Sequence, residues 1–118
     1  MAAAVLVLCD DLIWLSRFSA VGPSLGVTVR GARSLEQARQ LVAQHPPRCV
    51  ILDLAMGRAS GLVKELAPLL APGTRLIAFG SHVDAASLAD ARAAGCDPVL
   101  TRSAMAERLA EELPGWAT

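Results

Sequence analysis

Five short apolar runs punctuate the chain: "VLVLC" at 5–9, "VTV" at 27–29, "CVIL" at 49–52, "LIAF" at 76–79 and "VL" at 99–100. The longer runs do not alternate with polar residues, so they read as strands covered on both faces, as in a parallel sheet. Only "VTVR" alternates, which suits an edge strand. The segments between the runs carry helical spacing and caps. Ser34 with Gln37 forms a capping box ahead of "LEQARQLVAQH", where Leu35, Ala38, Leu41 and Val42 share a face. Asp84 is placed to cap "AASLADARAA", which stops at Gly95, a natural left-handed terminator. Ser103 is predicted to cap "AMAERLAEEL", with Met105, Leu109 and Leu113 on one stripe and Glu107 near the positive helix end. A first helix from about Leu12 should end or kink at Gly22 and Pro23, and a third from about Leu62 should stop near Pro68.

Strand and helix therefore alternate along the whole chain. That alternation requires right-handed crossovers and puts helices on both faces, which predicts an α/β fold with a doubly wound five-stranded parallel sheet. A length of 118 residues allows a real core but not two of them, so residues 1–118 are read as a single domain.

Composition removes several classes of function. Eleven basic groups balance eleven acidic ones, so no field draws in nucleic acid or an anionic membrane. The start, "MAAAVLVLCDD", lacks a basic region and meets two aspartates at once, unlike a signal peptide. No apolar run approaches the roughly 20 residues of a membrane span, and a soluble, cytoplasmic protein is expected. Cys9, Cys49 and Cys96 show neither metal-ligand spacing nor an even count, so they read as reduced thiols that pack as small hydrophobes. Trp14 and Trp116 read as packing residues. Ten of the eleven basic residues are arginines and Lys64 is the single lysine.

In doubly wound sheets, sites form beyond the carboxyl ends of the strands, where strand order reverses. Asp10 and Asp11 follow the first apolar run, Asp53 the third, Gly80, Ser81 and His82 the fourth, and Thr101 and Arg102 the fifth. Asp53 is either a strand-terminal cap or the centre of a site, and Asp10 and Asp11 can equally cap the first helix. Carboxylates converging from two strand ends need a cation, and carboxylate oxygens with room for water suit Mg²⁺. "GSHVD" at 80–84 contains Ser, His and Asp, but neighbours on one loop do not reach the geometry of a catalytic triad. A phosphate cradle for a flavin or nucleotide would need glycines where Asp10 and Asp11 stand.

Three blocks carry a resemblance: "VLVLCDD", "VILDLAMGRASG" at 50–61 and "AGCDPVLTRS" at 94–103. In this order and spacing the chain resembles, over its whole length, the receiver domain of two-component response regulators. The resemblance implies the chemotaxis-type, flavodoxin-like fold with strand order 2-1-3-4-5. It implies that Asp53 is a phospho-acceptor and metal ligand, and that Asp10 and Asp11 hold Mg²⁺ with it. A second register pairs Cys9 with Asp10 and leaves Asp11 outside the metal shell. The family's lysine falls on Arg102, which keeps the charge as a planar fork. Its strand-four hydroxyl falls on Gly80, with Ser81 one place late as a possible displaced hydroxyl. Its switch aromatic falls on Val99, and its proline after the lysine falls on Ser103, where a cis peptide would cost about 3 kcal/mol more than trans.

The readings that follow are a receiver phosphorylated on Asp53 with Mg²⁺, or a pseudo-receiver that keeps the fold and works as a protein-interaction module without phosphate. A small α/β enzyme using the strand-four loop is a third class, and enzymatic turnover beyond self-phosphorylation from a phosphodonor is not expected. The partner is expected to be a histidine kinase or another signalling protein. The surface of the fourth helix, fifth strand and fifth helix, with its alanine-rich "AASLADARAA", suits a partner or a homodimer.

Overall fold

The five apolar runs assemble into one all-parallel sheet in the order β2-β1-β3-β4-β5 in a computed structural model, which describes residues 3–118. The strands are β1 (Ala3–Leu8), β2 (Val27–Ala32), β3 (Cys49–Asp53), β4 (Arg75–Gly80) and β5 (Val99–Thr101). Between and after them run α1 (Leu12–Ser24), α2 (Leu35–Gln44), α3 (Ala59–Leu66), α4 (Ala85–Ala93) and α5 (Arg102–Trp116). Two 3₁₀ turns, Leu54–Met56 and Ala67–Leu69, flank α3. The predicted fold class and strand order are those found. As its alternation foretold, β2 lies at an edge.

The pleat divides the core into two layers, because successive side chains of a strand point to opposite faces. Val5, Val7 and Cys9 join Ile51, Ile77, Phe79 and Leu100 under α1 and α5, which bring Trp14, Phe18, Met105, Leu109 and Leu113. Leu6, Leu8, Val50, Leu52 and Ala78 face the other way, under Ala38 and Val42 of α2, Leu62 and Leu66 of α3, and Leu88 and Ala91 of α4. Both faces are covered, which is why the strands read as unbroken apolar runs. Cys49 and Cys96 are buried as free thiols in these layers, and Trp116 packs at the end of α5 as expected. Among the described residues, no helix is long and apolar enough to cross a membrane.

Three helix starts or ends differ from the sequence reading, each for a physical reason. The fifth helix begins at Arg102 instead of after Ser103, because the Thr101 hydroxyl accepts from the Ala104 N–H at 3.2 Å and so caps the helix directly off β5. The third begins at Ala59, ahead of Leu62. Its exposed Ser60 N–H is satisfied from outside, by Asp90 Oδ2 of α4 at 3.0 Å, a partner that local sequence does not disclose. The first runs through Pro23 and stops one residue later at Ser24, so the proline costs the helix only the one N–H at its own position. Gly22 of α1 lies against β2. A Cβ built there would stand 2.4 Å from Val29 Cγ2 and 3.0 Å from the Val27 carbonyl oxygen, so only glycine lets helix and strand approach this closely.

Candidate functional site at the carboxyl edge of the sheet

Strand order reverses between β1 and β3, and their last pairing is Leu8 with Leu52. The next residues, Cys9 and Asp53, are thereby set side by side. Asp53 is 1% exposed and Cys9 fully buried. The Cys9 thiol donates to Asp53 Oδ2 at 3.1 Å. Burial first, with the Asp53 charge adding to it, pushes the Cys9 thiol up to about 12, so it stays a neutral donor. Asp53 Oδ1 accepts the Ala55 N–H at 2.9 Å, which caps the 3₁₀ turn after β3. The same oxygen accepts from Arg102 Nη2 at 2.6 Å.

Arg102 reaches Asp53 from the start of α5 by crossing β4. Its guanidinium carbon lies 5.5 Å from the Phe79 ring centre, so the aromatic face steers the side chain as well as the carboxylate does. Phe79 in turn meets Trp14 at 4.9 Å between ring centres, and Arg17 covers the outer face of Trp14 at 4.9 Å. One third of the Arg102 side chain remains exposed, against 2% of that of Asp53.

The two acids after β1 do separate work. Asp11 Oδ1 accepts from the N–H groups of Ile13, at 2.9 Å, and Trp14, at 3.4 Å, and so caps α1. Asp10 is exposed and ion-paired with Arg33 Nε at 3.1 Å. The arrangement matches the second register, in which Cys9 and Asp10 are the pair and Asp11 stands apart. A cleft of about 310 Å³ lies among Asp10, Asp11, Asp53, Met56 and Arg102.

Mg²⁺ is the ion that the resemblance implies here, and the residues present do not fit it. Mg²⁺ needs only one or two carboxylates with waters, so the test lies in what these carboxylates already hold. Asp10 and Asp53 already face two guanidinium groups, Arg33 and Arg102, while Asp11 serves the positive end of α1. Both oxygens of Asp53 carry donors. The residue in direct contact with Asp53 from the end of β1 is the Cys9 thiol, with Asp10 and Asp11 elsewhere on the lining of the same cleft.

Ser81 does not reach this cleft. It lines a separate hollow of about 100 Å³ with Leu54, Gly80, Ser87 and Leu88, which Arg102 divides from Asp53. The space beside Gly80 is filled from the other side by Leu54, whose Cβ and Cδ1 would each lie 3.1 Å from an added Cβ. The "GSHVD" loop makes no triad. Asp84 gives both oxygens to Ser87, at 3.1 Å to its N–H and 2.7 Å to its hydroxyl, and His82 is exposed. Its hydrogen bond to the Ser87 hydroxyl is the main cause that holds the Asp84 carboxyl below the ordinary range. Val99 stands on β5 where the resemblance places an aromatic residue, half-buried.

The sequence reading passed over three features: the Cys9–Asp53 contact, the Asp10–Arg33 pair and the Leu54 plug. The alternation of Val5, Val7 and Cys9 was a usable signal for the first, because it carries the inward face of β1 one residue past the strand.

Compared with known proteins, the chain matches no family model and no curated protein sequence. Solved structures match its shape over nearly the full length. A response regulator from Thermotoga maritima aligns over 99% of this chain and 98% of its own, with a TM-score of 0.83 and 16% identity. A response regulator described from Chloroflexus aurantiacus covers 99% and 98%, with a TM-score of 0.81 and 19% identity. A response regulator protein from Burkholderia pseudomallei, solved with a phosphorylated aspartic acid, a calcium ion and citrate, covers 95% of this chain and 71% of its own, with a TM-score of 0.77 and 21% identity. The chain thus has the receiver fold of response regulators.

Proposed function

We propose that this receiver-fold domain signals through protein contact, with Asp53 serving as a structural carboxylate and not as a phosphate carrier. The observation that carries the reading is the buried ion pair: Asp53, 1% exposed, with Arg102 Nη2 at 2.6 Å from Oδ1. In-line attack on a phosphoryl donor needs a free carboxylate lone pair and access to it. Here both oxygens are engaged, and the hydroxyl that would draw the strand-four loop inward is replaced by Gly80 under Leu54. The domain turns over no substrate of its own. Its partner is a signalling protein or a second copy, meeting the surface of α4, β5 and α5, where Ala85, Ala86, Ala89 and Ala93 are exposed.

A second reading, phosphoryl uptake on Asp53, is favoured by the cleft of about 310 Å³ beside Asp53 and by the fixed positive charge of Arg102. In that case an Asp53 oxygen bonds to phosphorus as the donor's leaving oxygen departs with its electron pair. Incubation with Mg²⁺ and a small acyl phosphate, read by intact mass, separates the two. No gain in wild type supports the proposal. A phosphate-sized gain that is lost in Asp53→Asn overturns it. Sedimentation with and without Ala89→Arg identifies a second copy as the partner if only the unsubstituted chain self-associates.

A further inference from the structure

We propose that Cys9 and Arg102 together choose the cation of this site, holding it to a resident guanidinium, and that Cys9 is the residue whose change would open it to a divalent ion. The inference rests on the reading of Asp53 as a structural carboxylate, and explains what keeps it so.

The argument is one of charge and donors. Asp53 is buried with one full positive charge at 2.6 Å, so its own charge is already compensated. Its other oxygen receives a hydrogen bond from a fully buried thiol 3.1 Å away. A thiol at that point supplies a proton and asks for no cation. A carboxylate there would do the reverse. Two buried carboxylates within about 4 Å of each other repel strongly unless a cation of higher charge lies between them. One guanidinium can neutralise only one of them. Arg33 is not available for the second, since it is engaged with exposed Asp10 at 3.1 Å.

Residue 9 also determines which acids can act together. With Cys9 in place, the cleft offers only Asp10 and Asp53 as adjustable carboxylates, because Asp11 is committed to the N–H groups of Ile13 and Trp14. With aspartate at position 9, three oxygen-bearing groups would stand at the ends of β1 and β3. Hard divalent ions such as Mg²⁺ favour such a set. Leaving Cys9 and removing Arg102 instead would open one acceptor direction on Asp53 Oδ1, which keeps the Ala55 N–H, and create an uncompensated buried charge. That change should admit a divalent ion too, but with one carboxylate fewer and so more weakly.

The experiment is a titration with Mg²⁺, and in parallel with Mn²⁺, of wild type, Cys9→Ser, Cys9→Asp and Arg102→Ala. It is read by amide chemical shifts with Mg²⁺ and by paramagnetic broadening with Mn²⁺ at Asp10, Asp53 and Ala55. No phosphodonor is present, so the result is independent of whether Asp53 accepts phosphate. Wild type and Cys9→Ser should show no saturable change at millimolar metal. Cys9→Asp should bind with an apparent Kd at least about tenfold lower, with Arg102→Ala between them. Saturable millimolar binding by wild type overturns the proposal. So does a folded Cys9→Asp that behaves as wild type. If Cys9→Asp does not fold, Mg²⁺-dependent folding of that variant supports the proposal. If metal does not restore folding, the Arg102→Ala titration decides, and its silence overturns the proposal.

Discussion

Replacing Arg102 with alanine removes the one full positive charge that touches Asp53 and leaves the carboxylate where it is. Breaking a fully buried ion pair by removing one partner costs about 3–5 kcal/mol, because the remaining charge stays out of water. Here the guanidinium side is one third exposed, so water can follow into the space it leaves and part of the loss is recovered. Asp53 also keeps the Ala55 N–H at 2.9 Å and the Cys9 thiol at 3.1 Å. The net cost should therefore be smaller, about 2 kcal/mol, with a share from the lost contact with Phe79. A double-mutant cycle isolates the ionic part. Asp53→Asn alone, Arg102→Ala alone and the two together, each unfolded in urea at constant slope, should show a coupling of about 1–2 kcal/mol, with the double variant more stable than the sum of the singles implies. An Arg102→Ala protein within about 0.5 kcal/mol of wild type would refute the reasoning, since surface changes without partners fall in that range. A coupling near zero would assign the loss to Phe79 packing instead.

Other perturbations test neighbouring parts of the same structure. Gly80→Thr places a Cβ 3.1 Å from two atoms of Leu54 and should lower stability by about 1–3 kcal/mol by overpacking, with Leu54→Ala in the same chain recovering part of the loss in thermal unfolding. Asp11→Ala removes the acceptor for the Ile13 and Trp14 N–H groups and should cost about 1 kcal/mol in urea unfolding. Burial raises the thiols of Cys9 and Cys49 to about 12 and that of Cys96 to about 11, from 9.0 in each case. Folded thiols thus hold protons that unfolded ones release above pH 9, so stability is unaffected below that value and falls as pH rises from 9 toward 11. Each thiol contributes up to about 1.4 kcal/mol per pH unit there, and under reducing conditions Cys49→Ala should show a shallower alkaline decline than wild type in the midpoint of urea unfolding.

The fold could be read from the sequence because burial on both faces of the sheet writes itself into each strand separately. "CVIL" and "LIAF" need no knowledge of their neighbours to announce themselves. Asp53 was equally legible, as a lone charge at the end of such a run. What could not be read was pairing across the sheet. Whether Cys9 or Asp10 stands beside Asp53 depends on the register of β1 against β3, in which Leu8 meets Leu52 and a shift of one residue would exchange them. The start of α3 escaped for a related reason, since its exposed N–H is satisfied by Asp90 from another helix. Thr101 was visible but overlooked in favour of Ser103, because β5 passes into α5 without a loop and the cap is also the strand's last residue.

The departures at this sheet edge make sense as a set. A site that answers to a phosphoryl group must leave three things open: a carboxylate lone pair, a place for a cation that comes and goes, and a hydroxyl able to move toward the new charge. Arg102 and Cys9 between them take both oxygens of Asp53. Arg102 is tethered to the chain, so the cation does not come and go. Gly80 has no hydroxyl, and a Cβ added there would stand 3.1 Å from Leu54 Cβ and Cδ1. Any one of these changes alone would leave a weakened switch. On the proposed reading they act together to make the same backbone a fixed shape, whose surface at α4, β5 and α5 stays the same whatever phosphodonor is present. Output on that reading follows the amount of the domain and the state of its partner, while Asp53 holds β3 to α5 through Arg102.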